Sequence, residues 1–314
     1  MNSFEITPRG PFSLAAAQSF AGGFPASIGG GEVGEQSIAM AFPVEGTDLS
    51  AAVELSQRAD GVVVGRTDAP SSLLGQVQRQ AARSLSLDHD GSGWPDVGKR
   101  DPVIGRLQEA HDYLRPVCFY SAYEAATSFV IGQRISMRQS AGIKKRLGDA
   151  LGDEPTVGGH PYVCFPRPTR LLETRELAGL PERKVEWLHG LARAALDGRL
   201  NTDELRAMPH DEALARLRLL PGVGPFTAEA VLLRGCAVVD DVPSSEDLSL
   251  QAAADLYERP GLDRPGFLEI AEAWRPYRTW AVVLLRVGWS GSRGALSYRQ
   301  QSGGKVSTGP IRPR

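Results

Sequence analysis

The chain has 314 residues, 42% of them hydrophobic and 23% charged, with 35 basic and 37 acidic side chains and a formal net charge of −2. This balance fits a folded globular protein of one large or two medium domains, and it excludes both an intrinsically disordered chain and an all-over cationic nucleic-acid coat. Three widely separated cysteines, Cys118, Cys164 and Cys236, with no CxxC pair, exclude a zinc ribbon, a disulfide scaffold and a four-cysteine iron–sulfur cluster.

No stretch approaches eighteen consecutive apolar residues, so no transmembrane helix is expected. The start, MNSFEITPRG, lacks the basic segment and apolar core of a secretory signal, and the expected location is the reducing cytoplasm. The charge is uneven. Residues 1–110 carry 8 basic and 13 acidic side chains, whereas residues 111–314 carry 27 and 24.

In chain order, SIAMAF places Ile38, Met40 and Phe42 at a period of two, which predicts a strand. Leu49, Ala52, Val53 and Ser56 fall at helical spacing and predict a helix over residues 48–58. GVVVG, bounded by Gly61 and Gly65, predicts a second strand. Strand, helix, strand gives a small α+β domain over residues 1–110. GGGEVGE and residues 87–102, LDHDGSGWPDVGKRDP, are expected to be loops.

From there helices dominate, giving a mainly α second domain over residues 111–290. Leu107, Ala110 and Leu114 share one face, and Ala122, Ala125, Ala126, Phe129 and Val130 share another that runs into IGQRIS. Val185, Leu188, Leu191, Ala192, Ala195 and Leu196 form an amphipathic stripe. Trp274 precedes Pro276, and Trp280, Val283, Leu284 and Val287 follow it. Residues 291–314 hold Arg293, Arg299, Lys305, Arg312 and Arg314 without an acid or any apolar periodicity. They are expected not to fold alone, and to be either a weak electrostatic arm for phosphates or an indifferent terminus.

The most informative stretch is LRLLPGVGPFTAEAVLLRG, residues 217–235. An apolar helix runs into Pro221-Gly222-Val223-Gly224-Pro225, and a second helix begins near Phe226. Two glycines permit unusual dihedrals, and the second helix presents unpaired N–H groups and a positive dipole end, which suit a phosphate; Thr227 adds a hydroxyl. The order L-P-G-V-G-P-x-T-A resembles a helix-hairpin-helix element that grips one strand's phosphates without reading sequence, although a purely structural αα-hairpin also fits. Downstream, VVDDVPSSEDLSLQAAADLY sets Glu246 and Asp247 before an apolar helix. Helix capping alone explains acids at that place.

The hairpin and the later acid, with FYSAYEAATSFVIGQRIS (119–136), YVCFPRPTRLLE (162–173), residues 180–200 and AWRPYRTWAVVLLRVGW (273–289), resemble the helix-hairpin-helix-GPD superfamily of DNA glycosylases. Within it they are similar to the bacterial 3-methyladenine DNA glycosylase II (alkylbase) branch. The resemblance covers roughly residues 112–289, with PFSLAAAQSF a fainter match near the start. It implies hydrolytic removal of damaged bases, alkylated purines foremost, from double-stranded DNA in base excision repair. It also implies flipping of the target nucleotide out of the stack. The catalytic acid falls on Asp247, with Glu246 its neighbouring rival, while Asp240 and Asp241 shape the loop. A carboxylate there stabilises the positive charge that develops on the deoxyribose and can orient water.

The bifunctional members of the superfamily carry a Schiff-base lysine two residues after the second hairpin glycine. Phe226 stands there, so the resemblance implies a monofunctional enzyme without lyase activity. Gln133 and Arg134 match the side chains that enter the gap left by the flipped base, although the branch has an apolar residue where Arg134 stands. Ser136 and Arg138 are expected to touch phosphates, as is Gly222-Gly224-Phe226-Thr227. Lys144, Lys145 and Arg146 either join them or form a solvated face.

In the base pocket, Phe226 and Phe20 match aromatic positions, or are plain core residues. An aromatic of the branch becomes Arg286, and another becomes Ala230. Arg286 would repel a cationic base. It therefore turns away, or pairs with an acid, or the preferred lesion is a neutral one such as a deaminated purine; a lesion-recognising protein without catalysis is the rival of another class. The five histidines are scattered without HExxH, so no catalytic metal or required cofactor is expected. Main-chain carbonyls of Arg218, Leu220 and Val223 are implied ligands of a monovalent cation at the hairpin. The protein is expected to act as a monomer.

Overall fold

The computed structural model describes residues 1–21, 32–34, 37–177 and 179–302. Five antiparallel strands form one sheet in the order β1-β5-β4-β3-β2: β1 (Asn2–Ile6), β2 (Glu32–Gly34), β3 (Ser37–Pro43), β4 (Ser50–Gln57) and β5 (Val63–Thr67). The helix expected over residues 48–58 is therefore strand β4, paired with β3 from Ser37↔Ser56 to Pro43↔Ser50. Ala51, Val53 and Leu55 alternate onto the buried face, so the segment also satisfies a period of two. Its two neighbours supply ladder hydrogen bonds that a helix would forfeit. Within GGGEVGE, expected as loop, Glu32–Gly34 pairs with β3 as an edge strand.

Helices α1 (Leu14–Ala21) and α2 (Leu74–Ser84) cover the sheet, where Leu14, Val77 and Ala81 meet Phe42, Val53, Leu55 and Val63. Residues 87–102 are not a free loop. They hold α3 (Trp94–Arg100), and α4 (Pro102–Ala110) follows with Asp101 as its cap. Trp94 is fully buried, 5.7 Å from Trp280 edge to face. Exposing a large apolar side chain costs up to about 3 kcal/mol, which outweighs the turn propensity of the Gly and Asp residues around it. Trp94, Val97 and Ile104 thus belong to the same core as Trp274, Trp280 and Leu284. Asp101 also accepts from Trp274 Nε1 at 2.8 Å.

The helical body comprises α5 (Ala122–Gly132), α6 (Met137–Leu151), α7 (Pro168–Leu172), α8 (Glu182–Leu196), α9 (Thr202–Ala207), α10 (His210–Arg218), α11 (Pro225–Ala230), α12 (Asp247–Leu256), α13 (Arg264–Glu272) and α14 (Arg278–Ser302), with a small ribbon of β6 (Thr156–Val157) and β7 (His160–Pro161). α14 continues to Ser302, so the backbone of residues 291–302 is helical and not irregular; residues 303–314, the rest of the expected tail, lie outside the described residues. Buried Arg115 ties the N-terminal segment down by donating to the carbonyls of Arg9 (2.5 Å), Pro11 (3.0 Å) and Ser86 (3.2 Å) while stacking on Trp280. Close packing of α8 on the α10–α11 turn requires Gly190, where a Cβ would stand 2.3 Å from the Pro221 ring.

Lys144, a candidate for the surface cluster on α6, is 1% exposed. Its ammonium lies 6.0 Å from the Phe119 ring and faces buried Glu124 on α5. Lys145 instead pairs with Asp149 at 2.7 Å on the solvent side. The run KKR is therefore split by the helical period: Lys144 turns inward and cannot reach a phosphate. Burial pushes the Glu124 carboxyl up to about 8 and the Lys144 ammonium down to about 8. A carboxyl raised in the folded state holds a proton that the unfolded chain has already released. The stability it contributes is complete below about 4.5 and is lost as pH rises towards about 8. Unfolding free energy measured by urea titration is expected to fall between pH 5 and pH 7, and Glu124→Gln is expected to flatten that slope. An unchanged slope in the variant contradicts the assignment.

Candidate active site

α10 and α11 form the expected hairpin, and only one of its two glycines has an unusual backbone. Gly222 has φ +75°, and a Cβ there would stand 2.8 Å from the Trp187 ring. Gly224 is extended (φ −89°, ψ −178°), and nothing lies within 4 Å of where its Cβ would be. Its role is thus open space in front of α11, not a special dihedral. Pro225 at N1 has no N–H to lose, which leaves the Phe226 and Thr227 N–H groups at the helix start without a side-chain cap. α11 passes directly into a π turn, Val231–Gly235. Thr227 itself is largely buried, which disfavours its hydroxyl as a contact for an anion.

The end of α5 meets this hairpin. Gln133 Nε2 donates to the Gly222 carbonyl at 2.7 Å, and Lys184 Nζ donates to the carbonyls of Ile131 and Gln133, both at 2.8 Å. Arg134, next in line, is exposed with φ +60°, a conformation that a long side chain rarely adopts. The turn is held from two sides, and Arg134 stands at its tip. Gln133, a candidate contact, is thereby a strut between the two turns. Ser136 is exposed but committed: with Gln139 it forms a complete capping box at the start of α6.

The acid-bearing loop, residues 239–246, runs beside α11. Asp240 pairs with Arg275 (2.9 Å) and Arg278 (2.8 Å), and Asp241 pairs with His210, so both shape the loop as expected. At its end Glu246 stands at the N-cap position of α12 without capping it by its side chain, and its two carboxylate oxygens are taken by Arg286 and by the Ser249 hydroxyl. Asp247 differs. Its side chain is 83% exposed and has one partner, Arg264, at 3.2 Å. Of the two rival acids, Asp247 is the carboxylate with one oxygen, Oδ2, that accepts no hydrogen bond among the described residues.

Arg286 pairs with an acid, one of the arrangements open to it from the sequence, and the pairing cancels its charge locally. Its Nε is buried and without a partner among the described residues. Phe226 is 48% exposed and meets Phe129 edge to face at 6.2 Å, so it is not a core residue. Phe20 is partly buried against the core, under the Arg234 guanidinium at 5.7 Å. Arg234 is pushed down by burial and lies within electrostatic reach of Glu246 and Arg286. Phe20, Arg234, Glu246 and Arg286 therefore share one neighbourhood.

Four residues of the site were not expected: Glu229, Arg264, Lys184 and Arg234. Glu229, 5% exposed on α11, accepts from Ser244 and Ser245. Arg264, the first residue of α13, donates to the Pro243 carbonyl (3.3 Å), the Glu246 carbonyl (3.1 Å) and Asp247. Each acts across a long sequence separation, and no local motif marks such a pair. Among the described residues, no group of three or more His, Cys, Asp and Glu side chains is arranged to hold a metal ion.

No family model matches the chain. In backbone it is similar to the 3-methyladenine DNA glycosylase of Archaeoglobus fulgidus, with a TM-score of 0.74 over 92% of this chain and 99% of that one at 20% identity. The sheet, the helical body and the hairpin set before an acid-tipped helix thus make up the helix-hairpin-helix-GPD glycosylase fold. In sequence it is 28% identical to the DNA-3-methyladenine glycosylase of Bacillus subtilis over 64% of this chain and 68% of the relative. It is 30% identical to DNA-3-methyladenine glycosylase 2 of Escherichia coli over 58% of this chain and 62% of the relative. The chain thus shares the backbone fold of the helix-hairpin-helix-GPD glycosylases and is similar in sequence to the 3-methyladenine DNA glycosylases. The matched segments span about two thirds of those relatives' own length.

Proposed function

We propose that this chain is a monofunctional DNA glycosylase that flips a damaged base, foremost an alkylated purine, out of duplex DNA and hydrolyses its N-glycosidic bond. The observation that carries this reading is that the loop bearing the exposed carboxylate of Asp247 is hydrogen-bonded to α11, the helix of the hairpin, through Glu229. A strand gripped at the start of α11 is then presented to Asp247.

The chemistry follows from those groups. The N–H groups of Phe226 and Thr227 hold a backbone phosphate, which Gly224 allows to approach closely. Arg134 fills the gap in the stack, and its planar guanidinium can stack on the bases beside it. As the glycosidic bond breaks, positive charge grows on the deoxyribose, and the Asp247 carboxylate stabilises it once DNA has excluded water from the cleft. An alkylated purine leaves readily because it is already cationic, so one carboxylate suffices. Pairing of Arg286 with Glu246 supports a cationic lesion, since the arginine's charge is compensated.

Absence of lyase chemistry rests on lysine placement. Phe226 occupies the hairpin position, and the four described lysines are committed elsewhere: Lys99 to Asp96, Lys145 to Asp149, Lys184 to two carbonyls, and Lys144 to the core. The carbonyls of Arg218, Leu220 and Val223 are proposed to hold a monovalent cation. Leu220 accepts one N–H, from Val223 at 3.2 Å, which leaves a second lone pair on that oxygen. No helix among the described residues is long and apolar enough to cross a membrane. A monomer acting on DNA in the cytoplasm completes the reading.

Borohydride trapping on a duplex with one alkylated purine tests the single-function part. Free base is expected, with no covalent protein–DNA adduct and a strand that breaks only in alkali. A trapped adduct contradicts it.

A further inference from the structure

The Glu229 carboxylate accepts four hydrogen bonds, and none of its partners is a cation. Oε1 accepts from Ser244 N (3.2 Å) and the Ser244 hydroxyl, while Oε2 accepts from Ser245 N (3.0 Å) and the Ser245 hydroxyl (2.5 Å). All these partners are donors, and a carboxylate, which only accepts and offers about four lone-pair sites, matches them one for one. Glutamine has the same shape but would turn an NH2 group towards two donors. Burial raises the Glu229 carboxyl, but the bonds from Ser244 and Ser245 outweigh it and hold it below its usual range, so the anion persists at neutral pH.

We propose that Glu229 is a positioning residue that couples the hairpin's hold on the DNA backbone to the placement of Asp247, an inference that rests on the glycosylase reading. Glu229 lies two residues beyond Thr227 on the helix whose first N–H groups meet the phosphate, and Ser244 and Ser245 lie three and two residues before Asp247. The path from phosphate to acid is one short helix and one clamp. The opposite side of the loop is held independently by Arg264, at the Pro243 and Glu246 carbonyls and at Asp247 itself. Loss of the Glu229 clamp therefore lets the loop tilt about Arg264 and does not release it. A misplacement of about 1 Å at a reacting group costs on the order of 100-fold in rate.

The test compares Glu229→Gln with wild type and Asp247→Asn, in single-turnover base release from an alkylated duplex and in equilibrium binding to a duplex carrying an abasic-site analogue. Glu229→Gln is expected to lower release about 100-fold with binding unchanged within about twofold. Adding Ser244→Ala and Ser245→Ala to it is expected to cause little further loss, because the groups act as one unit. Ser245→Ala alone, which removes one hydroxyl at the protein surface, keeps the fold and is expected to reduce release in the same direction by about tenfold. Parallel loss of release and binding, full additivity of the serine variants, or unimpaired release by folded Glu229→Gln or Ser245→Ala overturns the coupling. If wild type releases base and Asp247→Asn does not, such an outcome removes the coupling alone. If wild type releases none, the underlying reading fails instead.

Discussion

Gly222→Ala is expected to lose both stability and DNA binding, whereas Gly224→Ala loses binding alone. At Gly222 two penalties add. An L-residue at φ +75° costs roughly 1–2 kcal/mol. The new methyl would also stand 2.8 Å from the ring of Trp187, which α8 carries and which lies under the Arg183 guanidinium, an overpacking that costs roughly 1–3 kcal/mol. The sum is a large share of the total stability of a typical domain, roughly 5–15 kcal/mol, and it falls on the turn that Gln133 braces. At Gly224 the backbone is extended and the space is open, so alanine is accommodated without strain. What the methyl obstructs is the approach of a phosphate to the N–H groups of Phe226 and Thr227. Thermal unfolding and fluorescence anisotropy on duplex DNA at two salt concentrations separate the cases. Gly224→Ala is expected to melt with wild type and bind more weakly. Wild-type affinity in that variant would put the phosphate somewhere else.

Asp247→Asn is expected to reduce single-turnover base release by about 100- to 1000-fold, the scale for removing one preorganised electrostatic group from a transition state. Stability should hardly change. The side chain is 83% exposed, and its pairing with Arg264 is a surface ion pair of the kind that contributes about 1 kcal/mol or less. Glu246→Gln is the informative contrast. Glu246 touches Arg286 and Ser249 and has no free oxygen for the sugar. Its loss leaves Arg286 uncompensated beside the base pocket, so release of a cationic base is expected to suffer more than release of a neutral one. Equal loss for both lesion types would show that the Glu246–Arg286 pair does not face the base.

Much of the helical domain was legible because its apolar positions repeat at the helical period. The hairpin was legible because PGVGP between two such helices is a local signal, and the position of Asp247 because it opens α12, the next α-helix. The α+β part was less so. Leu49, Ala52 and Val53 satisfy a helical spacing, yet Ala51, Val53 and Leu55 satisfy a strand spacing as well, and the ladders to β3 and β5 decide. Trp94 lies in a segment rich in Gly and Asp whose local preferences point to a loop, but burial against Trp280 prevails. Lys144 looked like one of a basic run, because spacing alone does not say which of three consecutive side chains turns inward. Glu229, Arg264 and Arg234 were hidden for a different reason: their roles exist only when residues 15 to 117 positions away are brought beside them.

The most direct measurement is release of free base by the wild-type protein from a duplex carrying a single methylated purine, followed by mass spectrometry under single-turnover conditions. The expected products are the free methylated base and an unbroken strand with an abasic site, formed by wild type and not by Asp247→Asn. No released base from a panel of methylated, deaminated and ethenoadenine duplexes, or equal release by Asp247→Asn, would contradict the assignment of this cleft to N-glycosidic hydrolysis by Asp247.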